Sequence, residues 1–212
     1  MPSLISHLSQ SQQRELLDDL NYLNIQEFRS FCHAHSIPYK ILIETESGKR
    51  KQSRNTDRKS IVLERIRHYL KTGRVMDPTC FPARIVRLDG MPTKLKPTDR
   101  LYYGWYDKKH RGMLDLLRKL TDGQFRNGAI ARILCREFWT AGKAPTFAQY
   151  AKAWLKENEK GLGTHPEAAW LTDRARGEAG RDWKAKRQRK ARKALETLRA
   201  VRRPAPAGGT WP

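Results

Sequence analysis

Cysteine is scarce in this chain: Cys32, Cys80 and Cys135 stand far apart and make no CxxC pair. That excludes a disulfide framework and a zinc ribbon, and it predicts a reducing, cytoplasmic compartment. No run of about 18 apolar residues occurs, and the opening Met-Pro-Ser-Leu-Ile-Ser-His-Leu has no basic n-region, so neither membrane spanning nor export is expected. The P-loop pattern G-x-x-x-x-G-K-[ST], the G-x-S-x-G elbow and the H-E-x-x-H helix are all missing. Asp57-Arg58-Lys59 and Asp77-Pro78 come nearest to a metal-dependent nuclease, but in the wrong order and context. The chain is therefore read as a non-enzyme that needs no cofactor and no metal. Cys32, His33 and His35 do not change this, because Cys32 and His35 share a helical face from which His33 diverges, and no second cluster completes a ligand set.

The scarcest charge is negative. Against 43 Lys and Arg stand 22 Asp and Glu, a formal net charge of +21 over 212 residues. Such a surface seeks polyanions. The excess is uneven: residues 181–212 hold 11 cations and 2 anions, the pattern of a basic arm on a milder body. A 38% hydrophobic share, with six Trp, seven Tyr and six Phe, is too rich for wholesale disorder.

Four segments follow from periodicity and turn signals. In residues 1–75, Leu16, Leu17, Leu20 and Leu23 share a helical face, and Asn24 with Glu27 makes a capping box for a second helix carrying Phe28, Phe31, Cys32 and His35, which Pro38 stops. Residues 39–56, with Ile41 and Ile43 alternating before an apolar-free run from Ser47 to Asn55, read as a long basic loop. Asp57 is placed to cap a third helix with Val62, Leu63, Ile66, Tyr69 and Leu70 on one stripe, closing at Gly73.

Residues 76–112 form a connector whose four prolines forbid a long helix; Arg84–Leu88 and Arg100–Tyr106 are expected to pair as a small β-hairpin around Asp89-Gly90. In 113–180 helices return, with Thr146 and Gln149 forming a further capping box. The two amphipathic helices joined by Thr140–Pro145 are compatible with a helix-turn-helix reader or with an ordinary helical hairpin. In 181–212 the arm carries a thin stripe of Ala191, Ala194, Leu195, Leu198 and Val201, but charge repulsion predicts a frayed helix until phosphates neutralise it, and Pro204–Pro212 is expected to be disordered.

The run Leu23-Asn24-Ile25-Gln26-Glu27-Phe28-Arg29, Ile37-Pro38 after it, and Arg58-Lys59-Ser60-Ile61-Val62-Leu63-Glu64-Arg65-Ile66-Arg67-His68-Tyr69-Leu70 resemble the SAP family of helix, extended loop, helix DNA-binding modules. The resemblance covers about a quarter of the chain and departs from the family at Asp57, where Gly is common, and in a longer inter-helix segment. It implies that the loop and the start of the second helix meet a DNA backbone, which assigns phosphate contacts to Arg58, Lys59 and Arg65. A helix N-terminus suits that role through its free N–H groups.

The overall expectation is a mainly α protein: a SAP-like helix, extended loop, helix module, a small β-hairpin, and a helical C-terminal region with a basic arm. Its expected partner is nucleic acid, DNA favoured over RNA, bound with little sequence specificity and placing the protein at the nucleoid. The candidate contacts are Lys49, Arg50, Lys51 and Arg54 in the loop, Arg58, Lys59 and Arg65 at the third helix, and Lys184, Lys186, Arg187, Arg189, Lys190, Arg192 and Lys193 in the arm. Tyr102, Tyr103, Trp105 and Tyr106 beside Lys108, Lys109, His110 and Arg111 form either a base-stacking platform or core aromatics. RNA association, and an adaptor role in which helices of 113–158 dock a protein partner, stay open.

Overall fold

The computed structural model describes residues 3–107, 109–160 and 180–201. Seven α-helices and one three-stranded sheet make up the regular structure of these residues. Contacts divide the chain into two units: residues 1–40, 56–78 and 177–212 form unit 1, and residues 41–55 and 79–176 form unit 2.

Unit 1 is helical. Helix α1 (Gln10–Asp19) begins at Ser9, whose side chain and that of Gln12 cap each other's backbone N–H, and it runs into a 3-10 turn at Leu20–Tyr22. Helix α2 (Ile25–Ala34) starts with the Asn24–Glu27 capping box that the sequence indicates. Helix α3 (Lys59–Thr72) ends at Gly73 in the left-handed region, φ +66°. The periodic apolar positions of all three helices, among them Leu16, Phe28, Phe31, Val62, Ile66 and Leu70, meet in one core.

The fourth wall of that core is the arm. Gly180–Ala200 is an ordered helix, here α7, and Ala191, Ala194, Leu198 and Val201 are buried among the side chains of α1, α2 and α3. This corrects the expectation of fraying. The thin stripe suffices because small side chains let the helix lie close, and the flanking cations find carboxylates in unit 1. The expected disorder of 204–212 lies outside the described residues.

Asp57 does not cap α3; Arg58 holds the N-cap position without a side-chain cap. Asp57 is instead buried, with its Oδ2 2.7 Å from Arg65 Nη1, and Arg65 also donates to the Pro38 carbonyl at 2.9 Å. The pair satisfies two groups that could not be buried alone.

Unit 2 is built on strand order β2-β1-β3. Strands β1 (Lys40–Glu44) and β2 (Arg50–Thr56) occupy the stretch read as a solvated loop. They are joined by residues 45–49, a connection that only antiparallel neighbours allow. Strand β3 (Cys80–Phe81) runs parallel to β1, with Leu42 opposite Cys80 and Ile43 opposite Phe81.

The hairpin expected at 84–106 is absent. Ala83–Ile85 is a 3-10 turn, and Val86 and Tyr103 share one isolated parallel bridge. A parallel approach cannot be closed by a tight turn, so the proline-rich stretch between them loops out. Gly104 makes the approach feasible: at φ +100° it has room where a Cβ would lie 1.9 Å from the Arg87 carbonyl oxygen.

Helices α4 (Arg111–Lys119), α5 (Ala129–Thr140) and α6 (Phe147–Lys160) complete unit 2. Their apolar faces pack on each other and on the sheet, burying Met113, Leu117, Leu134, Phe147 and Trp154. Tyr103 sits between Phe81 and Trp139 with ring centroids 5.0 and 5.4 Å away, so it is core and not platform. Among the described residues no helix is long and apolar enough to cross a membrane.

Removing one partner of the Asp57–Arg65 pair strands a buried charge. Asp57→Ala is expected to destabilise unit 1 by about 3–5 kcal/mol, and Asp57→Leu combined with Arg65→Met to recover most of that loss. Urea unfolding of the two variants checks this; equal losses in both would contradict the role given to the pair.

Candidate nucleic-acid interface

The β1–β2 hairpin displays the cations of residues 49–54. Its turn is held by the Gly48 N–H donating to the Thr45 carbonyl and the Thr45 N–H donating to the Lys49 carbonyl, at 2.9 and 2.8 Å, and Gly48 supplies a φ of +73°. Ile41 and Ile43 turn into the core from β1, and Ser53 is the one buried position of β2. Strand alternation then sends Arg50, Gln52 and Arg54 to the opposite face, where all three are exposed. Lys49 and Lys51, nearer the turn, are exposed as well.

Among the described residues, the side chains of Lys49, Arg50, Lys51 and Arg54 make no hydrogen bond or ion pair. Two carboxylates share this hairpin. Glu44 is half-buried and accepts from the Ala83 N–H at 3.4 Å, and Glu46 is exposed at the turn. The ribbon is anchored beneath by Asn55, whose Nδ2 donates to the Tyr103 hydroxyl at 2.6 Å. Gln52 is a further exposed polar group that the sequence reading did not single out; once β2 is recognised as a strand, alternation with Arg50 and Arg54 finds it.

The unit 1 cations are placed differently. Arg65 is internal, 4% exposed, and its guanidinium is committed to Asp57 and Pro38, so it contacts no phosphate. Lys59 also departs from the expectation. Its Nζ donates to the Asn21 carbonyl, and burial, reinforced by the like charges of Arg187 and Arg67 and opposed by Glu27, depresses its pKa to about 8. It lies in the helical packing, not on an open helix N-terminus. Arg58 is half-buried at the N-cap of α3.

Along α7 the cations fall into two sets. Arg187 pairs with Glu27 at 2.6 Å and donates to the Tyr22 carbonyl, Lys190 pairs with Asp19 at 2.5 Å, and Lys193 pairs with Glu15 at 2.6 Å. The Asp19 hydrogen bond raises the Lys190 pKa. Arg187 and Lys190 are therefore braces and not anchors for a ligand. Lys184, Lys186, Arg189 and Arg192 remain exposed, as does Lys193 beyond its pair. Helical spacing puts Lys186, Arg189 and Lys193 on the side opposite Ala191 and Leu198.

A signal for the braces exists in the sequence. Glu15, Asp19 and Glu27 ascend while Lys193, Lys190 and Arg187 descend, as an antiparallel packing requires; without the pairing in hand the two lists have no reason to be matched.

Two other groups resolve simply. His35 Nδ1 lies 3.1 Å from the Tyr69 hydroxyl, its ring tilted against that of Phe31 with centroids 4.3 Å apart, while Cys32 is buried with its thiol pKa pushed up to about 12 by desolvation. Among the described residues, no three His, Cys, Asp or Glu side chains are grouped to hold a metal. Comparison of the chain with protein-family models, with curated proteins and with solved structures found no match.

A lysine whose folded pKa is depressed binds fewer protons folded than unfolded between about pH 8 and its ordinary 10.5, so its contribution to stability rises with pH across that window. Lys59→Met removes this term. Its stability relative to wild type should therefore be greatest near pH 7 and shrink by pH 10 in urea titrations; a pH-independent difference would contradict the half-buried placement of Lys59.

Proposed function

We propose that the protein binds nucleic acid, duplex DNA in preference to RNA, through phosphate-dominated contacts of little sequence specificity and without catalysis. The observation that carries this reading is the β1–β2 ribbon, whose Lys49, Arg50, Lys51 and Arg54 stand in solvent with no carboxylate engaged by them. A protein with 22 acids for 43 bases has few anions to spend, and unit 1 spends them on Arg65, Arg187, Lys190 and Lys193. Leaving four adjacent cations uncompensated costs self-repulsion, which a polyanion relieves.

Geometry favours a B-form duplex. Its major groove is wide enough for a two-stranded ribbon, whereas the major groove of A-form RNA is deep and narrow. Arg50 and Arg54, four residues apart on one face, reach about 13 Å along the strand and so span more than one phosphate. The exposed cations Lys184, Lys186, Arg189 and Arg192 of α7 supply a second, separate set. The SAP resemblance points to DNA as well, although two of its three implied contacts, Lys59 and Arg65, are taken up in packing; the proposal rests on the ribbon. Apolar faces of α4, α5 and α6 are used within unit 2 and lend no support to a docked protein partner.

The test is the salt dependence of duplex binding by fluorescence anisotropy. Neutralising five to eight phosphates predicts a slope of log K against log salt of about −4.5 to −7, and replacing Lys49, Arg50, Lys51 and Arg54 by Ser should flatten it by about 3.6. A wild-type slope near −1, or a slope unchanged by the four replacements, would overturn the assignment.

A further inference from the structure

Unit 2 contains a cleft of about 790 Å³. Three of its lining residues are cations, Arg84, Arg100 and Lys143, and two are aromatic, Tyr102 and Phe138. No carboxylate belongs to the lining among the described residues. Three cations around an acid-free concavity select for an anion.

Two of the cations are held by backbone. Arg84 Nη2 donates to the Gly142 carbonyl at 3.2 Å and Arg100 Nη1 to the Ala144 carbonyl at 3.0 Å. Each guanidinium spends one of its five N–H donors in this way, which fixes its position and leaves the others for a ligand. Gly142 is specific to the arrangement: its φ is +67°, and a Cβ there would lie 2.9 Å from Arg84 Nη2. The antiparallel bridge between Arg100 and Thr146, with the Leu101 N–H donating to the Pro145 carbonyl at 2.8 Å, ties the segments that carry the cations. Tyr102 is braced too, by the Arg87 guanidinium 5.1 Å above its ring and Trp105 edge-on at 5.1 Å.

From this convergence of three cations, two of them fixed by backbone carbonyls, and two aromatics, one of them braced, around an acid-free cleft, we propose that unit 2 binds a nucleotide of single-stranded nucleic acid, its base on Tyr102 or Phe138 and its phosphates on Arg84, Arg100 and Lys143. A duplex does not fit this chemistry, because its base faces are already stacked and unavailable to an aromatic ring. The cleft is thus a second binding function beside the ribbon, and either can fail without the other. Of the aromatics in the sequence motif, Tyr102 serves the cleft, Tyr103 serves the core, and Tyr106 bonds Asn127 at 2.6 Å.

The full chain is titrated into fluorescein-labelled oligothymidylate and oligouridylate of about 15 nucleotides, long enough to fill one site, and separately into a blunt DNA duplex. Tyr102→Leu is expected to weaken binding to the single strand by about tenfold, and Tyr102→Phe to change it by less than about twofold because the ring is kept. Lys143→Glu, at an exposed position that bears no core contact, should also weaken it, and Gly142→Ala should do so without removing any charge. Duplex affinity should be unchanged by these four, and the Ser replacements at Lys49, Arg50, Lys51 and Arg54 should show the opposite pattern. Loss with either oligonucleotide supports the cleft, and the tighter of the two is the preferred polymer. Unaltered single-strand affinity in Lys143→Glu and Gly142→Ala, no single-strand binding by the wild type in dilute salt, or displacement by thymidine monophosphate at the same nucleotide concentration as the polymer would each overturn it.

Discussion

Four carboxylates decide how this basic chain folds. Asp57 takes Arg65 into the interior of unit 1, and Glu27, Asp19 and Glu15 receive Arg187, Lys190 and Lys193 as α7 settles on its stripe of Ala191, Ala194 and Leu198. Without that matching, a helix so densely cationic would be driven off the helical layer by Lys59, Arg67 and its own neighbours. With it, the C-terminal segment becomes a wall of the N-terminal core, and the hydrophobic contacts of small side chains hold where charge repulsion would have forbidden them. Truncating the chain before α7 therefore does more than remove positive charge, because it opens the core of unit 1.

That use of acids has a consequence for the rest of the surface. Carboxylates engaged by unit 1 leave the β1–β2 ribbon and the cleft of unit 2 with positive groups that no acid is paired to among the described residues. The two places differ in form. The ribbon has one face on the core and carries its cations along the exposed face of β2 and the turn before it, suited to tracking a backbone. The cleft is concave, with two of its cations fixed by carbonyls and the Tyr102 ring braced at its wall, suited to holding one flat group and the charge attached to it.

Much of the helical architecture was legible in the sequence because helix signals are local. Asn24 and Thr146 cap as their spacing indicates, Gly73 ends α3 in the left-handed region, and the stripes at Leu16, Phe28 and Val62 face inward. Strand β2 was not legible: it buries only Ser53, so its partner β1 and not its own composition makes it a strand. The expected hairpin at 84–106 failed for the converse reason, since suitable residues meet there in a parallel approach that Gly104 permits. Of the candidate contacts, Lys49, Arg50, Lys51 and Arg54 lie where a ligand can reach them. Arg65, Arg187 and Lys190 could not be told apart from them in sequence, because which cation meets which carboxylate is decided by long-range packing. Arg84, Arg100 and Lys143 are separated by the length of a helix or more, and only the folded turn at 141–146 unites them.

The central claim is that cations outside the internal ion pairs are the ones that meet nucleic acid. Lysine acetylation followed by mass spectrometry, with and without saturating duplex, measures this directly. Lys49 and Lys51 should lose reactivity when the duplex is bound, while Lys190, held by Asp19, keeps the same low reactivity in both states. A bound duplex that protects Lys190 and leaves Lys49 and Lys51 as reactive as before would contradict it.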